Sequence, residues 1–146
     1  MNCGRDAGYG TEKVTICGSM RFLDKMKSWK QKLESQGYEV FIPTPFDFHT
    51  VRDEEKDLER FEEIKRRETK HHFQRVELAD VLIVLNYDKD GKKNYVGGNT
   101  FAEISYAVAL NLCHGRSIRI YTINPLPEDS WCYEELHAWG IMQWHG

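Results

Sequence analysis

Between an apolar run, Val81–Leu85, and a helix-forming stretch that reaches Cys113, the chain reads Tyr95-Val96-Gly97-Gly98-Asn99-Thr100-Phe101-Ala102-Glu103. Two adjacent glycines permit positive φ and a close approach of backbone to a ligand. The start of a helix offers N–H groups with no intrahelical partner and a partial positive charge, which together suit an anion. Glu103 falls in the first turn of that helix, where the dipole favours an ionised carboxylate. A carboxylate held there is able to attack, or to stabilise, a cationic sugar carbon. The same residues also spell a capping box, with Thr100 as N-cap and Glu103 as N3, which needs no ligand.

A second turn, Cys17-Gly18-Ser19-Met20-Arg21-Phe22, follows the first apolar strand. Amides at Gly18 to Met20, the Ser19 hydroxyl and the Arg21 guanidinium suit a phosphate. A plain N-cap at Ser19 is the other reading. The chain has no G-x-G-x-x-G and no G-K-[ST], and Cys17 stands too close to Arg21 for a cysteine phosphatase loop. Nicotinamide and ATP-hydrolysing chemistry therefore lose ground. His71 and His72 diverge by about 100° on a helix, so only one can face a given ligand; His72 is the candidate. With no H-E-x-x-H and no matching Cys/His set, no metal site is expected. Asp88, Asp90 and Gly91 match only part of a calcium loop, without its later ligands, and read as a turn.

These residues need a frame. Val14–Cys17 reads as a strand, Met20–Gln36 as a helix stopped by Gly37, and Tyr38–Ile42 as a second strand closed by Pro43 and Pro45. Phe46, Phe48 and His49 follow in a loop, placed to stack on a base or to pack down on the sheet. Arg52–Lys70 carries charge of both signs and reads as a solvated helix across an edge of the domain, with a lid over the pocket as the alternative, continued by His71–Ala79. The unbroken apolar run Val81–Leu85 marks a strand covered on both faces. Thr100–Cys113 reads as a helix with Phe101, Ile104, Val108 and Leu112 on one face; Ser117–Ile123, Trp131–Trp139 and Ile141–Trp144 read as strand, helix and strand. The sum is a single doubly wound α/β (flavodoxin/Rossmann-like) domain over 14–146, behind a flexible tail at 1–13. Its parallel sheet has four to five strands with helices on both faces. Such sheets bind ligands beyond the carboxyl ends of their strands, where both turns lie.

With 146 residues, 40% of them hydrophobic, and a net charge of −3, the chain has the size of one globular domain. The charge argues against a nucleic-acid or membrane surface and leaves a small metabolite open. Cys3, Cys17, Cys113 and Cys132 form no C-x-x-C pair; Cys17 and Cys113 read as core residues, and a cytoplasmic setting fits. No apolar run reaches the roughly 18 residues of a membrane span.

The sequence resembles the nucleoside 2-deoxyribosyltransferase-like family, which includes nucleotide N-glycosidases. The matching stretches are Ile16-Cys17-Gly18-Ser19-Met20-Arg21-Phe22, Ala79-Asp80-Val81-Leu82-Ile83-Val84-Leu85-Asn86, and Tyr95-Val96-Gly97-Gly98-Asn99-Thr100-Phe101-Ala102-Glu103-Ile104. The resemblance implies cleavage or transfer at the N-glycosidic bond of a nucleoside or nucleoside 5′-monophosphate, without metal or organic cofactor. It implies Glu103 as nucleophile on the anomeric carbon, and Gly18, Ser19, Met20 and Arg21 on the sugar or a 5′-phosphate. A homo-oligomer is implied as well. From their own chemistry, Gly97, Gly98 and Asn99 would add amides, and His72, able to give a proton near neutral pH, would protonate the departing base. Characterised members carry tyrosine where Thr15 stands, an acidic residue where His72 stands, and aspartate or serine where Gly97 stands. A non-catalytic nucleotide or nucleotide-sugar binding module is the alternative.

Overall fold

A computed structural model describes residues 11–44 and 58–146. Residues 1–10 of the expected tail at 1–13, and the aromatic loop of Phe46, Phe48 and His49, lie outside the described residues. Lys13, assigned to that tail, is already the first residue of a strand paired on both sides, since strand pairing rather than apolar content sets its start. Among the described residues five strands form one sheet: β1 (Lys13–Gly18), β2 (Glu39–Phe41), β3 (Val81–Leu85), β4 (Arg119–Thr122) and β5 (Met142–Gln143). Their order is β2-β1-β3-β4-β5, and every neighbouring pair is parallel. Helices α1 (Leu23–Ser35), α2 (Leu58–Leu78), α3 (Gly98–His114) and α4 (Tyr133–Ala138) connect or follow them.

All five side chains of β3 are buried, because both faces of the sheet are covered. Val81, Ile83 and Leu85 pack with Val14 and Ile16 under Met26 and Leu33 of α1. Leu82 and Val84 turn the other way, towards Val76 of α2, Ile104 and Ala107 of α3, and Leu136 of α4. Each fully buried aliphatic side chain of this kind contributes about 1.5–3 kcal/mol. The strand order reverses between β1 and β3, so the turns after these two strands diverge and leave a crevice. Among the described residues no helix is long and apolar enough to cross a membrane.

Several local expectations are corrected. The α-helix expected from Met20 begins at Leu23; Met20–Phe22 form a 3-10 turn, closed by Phe22 N–H to Ser19 O at 2.9 Å. The Ser19 hydroxyl does accept the Arg21 amide, at 3.3 Å. The capping box does not form. Helix α3 starts at Gly98 with Gly97 as N-cap, since Gly97 O accepts the Phe101 amide at 2.9 Å. That earlier start moves Glu103 into the second turn and turns Thr100 and Glu103 inward, where both are buried. The inward face runs through Thr100, Glu103, Ile104, Ala107 and Leu110, so Leu112 is 78% exposed and Cys113 is exposed as well. Helix α2 is no mere solvated edge: Ile64 and Val76 are buried, and it packs against α3.

Candidate active site

A cleft of about 410 Å³ opens at the carboxyl ends of β1 and β3. The β1 turn supplies Gly18, Ser19 and Met20; the start of α3 supplies Gly97, Gly98 and Asn99; Glu103 and His72 line it as well. The structure thus brings eight of the nine residues singled out from the sequence to one cavity. Arg21 is the exception. Its Nη1 rests on Asp90 Oδ1 at 2.7 Å, and both side chains are exposed on the loop side.

Close approach explains two of the glycines. A Cβ on Gly18 would stand 2.9 Å from Leu85 O, a backbone atom of the adjacent strand, at φ +155°. Gly18 therefore lets β1 end tight against β3. A Cβ on Gly97 would stand 2.8 Å from Tyr95 Oη, whose ring carries Lys89 Nζ 4.6 Å above it. The anticipated positive φ is absent from the glycine pair: Gly97 has φ −87° and Gly98 is helical. The pair leaves room rather than reversing the chain. The amides of Gly98, Asn99 and Thr100 precede the first intrahelical bond, so they have no acceptor within α3.

Two of the lining side chains, His72 and Glu103, form a pair. His72 Nδ1 lies 3.4 Å from Glu103 Oε2, with side-chain exposures of 25% and 8%. The hydrogen bond to Glu103 raises the His72 pKa above its ordinary range, burial opposes this, and the charges of Glu103 and Glu68 add to the rise. His72 is therefore held in its protonated, donating form further towards neutral pH than a free imidazole. Beneath the cleft the Cys17 thiol is fully buried, and burial, then the Glu103 charge, pushes its pKa up. Cys17 thus stays a neutral thiol with no nucleophilic character.

Helix α2 reaches this position through a contact that sequence reading missed. The Thr15 hydroxyl, 4% exposed, donates to Arg75 O at 2.9 Å in the last turn of α2. That carbonyl has no intrahelical donor, so the bond caps the helix and ties it to β1. Thr15 lines a neighbouring groove and not the cleft itself. Also missed were Phe61, Lys65, Glu68 and Phe73 on α2, and Lys89 and Tyr95 after β3. Their only signal was spacing: 61, 65, 68, 72 share one helical face, yet their polarity reads as a solvent stripe. Among the described residues no group of three or more His, Cys, Asp or Glu side chains is arranged to hold a metal ion.

No protein-family model matches the chain, and no curated protein sequence does. A solved structure similar to it is a 2-desoxiribosyltransferase from Leishmania mexicana: identity is 15%, the TM-score is 0.46, and the alignment covers 80% of this chain and 67% of that one. The likeness is one of backbone course and assigns no residue a role.

Proposed function

We propose that the protein cleaves or transfers the N-glycosidic bond of a nucleoside or nucleoside 5′-monophosphate, with Glu103 as nucleophile and His72 as proton donor. The observation that carries this reading is a shielded carboxylate facing a cleft with an imidazole 3.4 Å away. A glycosidic carbon gains positive charge as its bond to the base lengthens, and a nearby carboxylate meets that charge. Glu103 bonds to C1′ while the C1′–N electron pair leaves with the base, which takes a proton from His72. Water, or a second base, then attacks C1′ and frees Glu103; the neutral His72 accepts the proton that this step releases. Gly18, Ser19, Met20 and the amides of Gly97, Gly98 and Asn99 hold the sugar or its phosphate. Lys65 and Lys89, which line the cleft, supply positive charge in place of the outward-facing Arg21. The reading includes a cytoplasmic, homo-oligomeric enzyme with one domain over 14–146 that works without metal or organic cofactor.

The test is free-base release, followed by mass spectrometry across a panel of nucleosides and their monophosphates. Glu103→Gln should lower turnover at least ~10³-fold, the equivalent of about 4 kcal/mol in the barrier. Equal release by variant and wild type removes Glu103 from the mechanism. The ion pair of Glu103 with His72 also gives the carboxylate a resting partner, which favours a second reading as a nucleotide-binding module. Strong thermal stabilisation by nucleotides that are never cleaved would select it.

A further inference from the structure

Glu68 lines the cleft one helical turn before His72 on the same wall of α2. Its side chain is only 17% exposed, yet among the described residues it makes no hydrogen bond. Arg67 Nε at 3.9 Å and His71 Nδ1 at 4.0 Å stand at the outer limit of an ion-pair contact with it. A carboxylate is an acceptor-only group with two oxygens, and among the described residues no hydrogen-bond donor occupies either of them here. Its place in a cavity wall calls for donors brought by a ligand.

The position says which part of the ligand. Resting on the glycosidic reading above, C1′ sits at Glu103 and the departing base lies against His72. Four residues of α-helix separate His72 from Glu68, a rise of about 6 Å. That is roughly the depth of a bicyclic base, so Glu68 stands where the far edge of a purine would lie. Phe61, on the same helical face as Glu68, and Phe73, whose ring packs against Tyr106, also line the cleft. Two carboxylate oxygens match two neighbouring N–H donors on one edge. Guanine has such an edge, with its ring N–H beside its 2-amino group. Hypoxanthine lacks one of the two donors, and adenine sets a ring acceptor against the carboxylate. We infer that Glu68 is the base-specificity residue of this cleft and selects a guanine-type edge.

The experiment measures kcat/KM of the full chain and of Glu68→Gln on guanosine and inosine 5′-monophosphates, with thermal shift in the same two ligands. Wild type should favour guanine at least tenfold, because a cleft-wall carboxylate that faces a missing donor discriminates strongly against that base. In Glu68→Gln, which presents one oxygen and one donor, the ratio should fall to within threefold. A ratio unchanged by the substitution, or a wild type that prefers hypoxanthine, overturns the inference and leaves the glycosidic reading standing. If no nucleotide is cleaved, the glycosidic reading fails, and thermal shift decides for Glu68 alone. Stabilisation by the guanine nucleotide that is lost in Glu68→Gln upholds its role; equal stabilisation of both proteins overturns it.

Discussion

The coupling between His72 and Glu103 should vanish as pH rises. The sign follows from the direction of the shift. The folded protein holds the His72 pKa above its unfolded value near 6.5, chiefly through the hydrogen bond to Glu103. Its contribution to stability is therefore fully present below about pH 6.5 and is lost as pH climbs through the raised folded value. A hydrogen bond to a charged group contributes about 1.5–3 kcal/mol. At 3.4 Å the contact is long, and His72 keeps 25% of its side-chain exposure, so the lower end applies. We expect a coupling energy of about 1–2 kcal/mol at pH 6, falling towards zero as pH passes the raised folded value and the imidazole loses its proton. The assay is a double-mutant cycle of wild type, His72→Ala, Glu103→Gln and the double variant, by urea denaturation in half-unit steps of pH. In a chain of this length 1 kcal/mol corresponds to roughly 3 °C in Tm, so thermal melts provide a second reading. If the protonated imidazole also delivers the proton to the leaving base, turnover falls over the same window. A coupling energy that stays constant from pH 6 to 9, or that grows, would refute the argument. The pair would then be a contact without charge.

Three further perturbations separate positions that look alike in sequence. Gly18→Ala drives a Cβ to 2.9 Å from Leu85 O at φ +155° and should cost about 2–4 kcal/mol, whereas Gly98→Ala, where a Cβ meets nothing within 4 Å, should stay within about 0.5 kcal/mol; chemical denaturation of both variants checks the contrast. Thr15→Val keeps the shape of the buried side chain but leaves Arg75 O without its donor, so a loss of about 1–2 kcal/mol is expected, together with faster amide exchange in the last turn of α2. Arg21→Ala breaks an ion pair whose partners are 64% and 59% exposed and should move the denaturation midpoint by less than about 1 kcal/mol; a larger loss would show that the pair locks the rim of the cleft.

The fold was legible because its signals are local and repeat. Val81–Leu85 is apolar at every position, which only a strand covered on both faces tolerates, and glycine and proline punctuate the segments around it. The rim placement of Gly18–Met20 and Gly97–Asn99 followed from that frame, since turns after parallel strands share one edge of the sheet. Helix starts were less legible. Thr100 and Glu103 have capping-box spacing, but spacing does not say whether an upstream carbonyl, here Gly97 O, is free to begin the helix sooner. Arg21 reads as a phosphate ligand until Asp90, 69 residues away, is brought beside it.

By itself, then, the order of residues determined the strands, their parallel course and the short list of groups able to do chemistry. Only the tertiary structure decided which of those groups meet. It set His72 against Glu103 across 31 residues of chain, turned Arg21 outward, and made one polar face of α2 the wall of a cleft. The reason is physical: periodicity reports which face of an element is apolar, while the partner of a polar side chain depends on packing between elements far apart in the chain. Glu68 shows it most plainly, for a glutamate on a charged helix reads as solvated, yet it lines the cleft with its side chain 17% exposed.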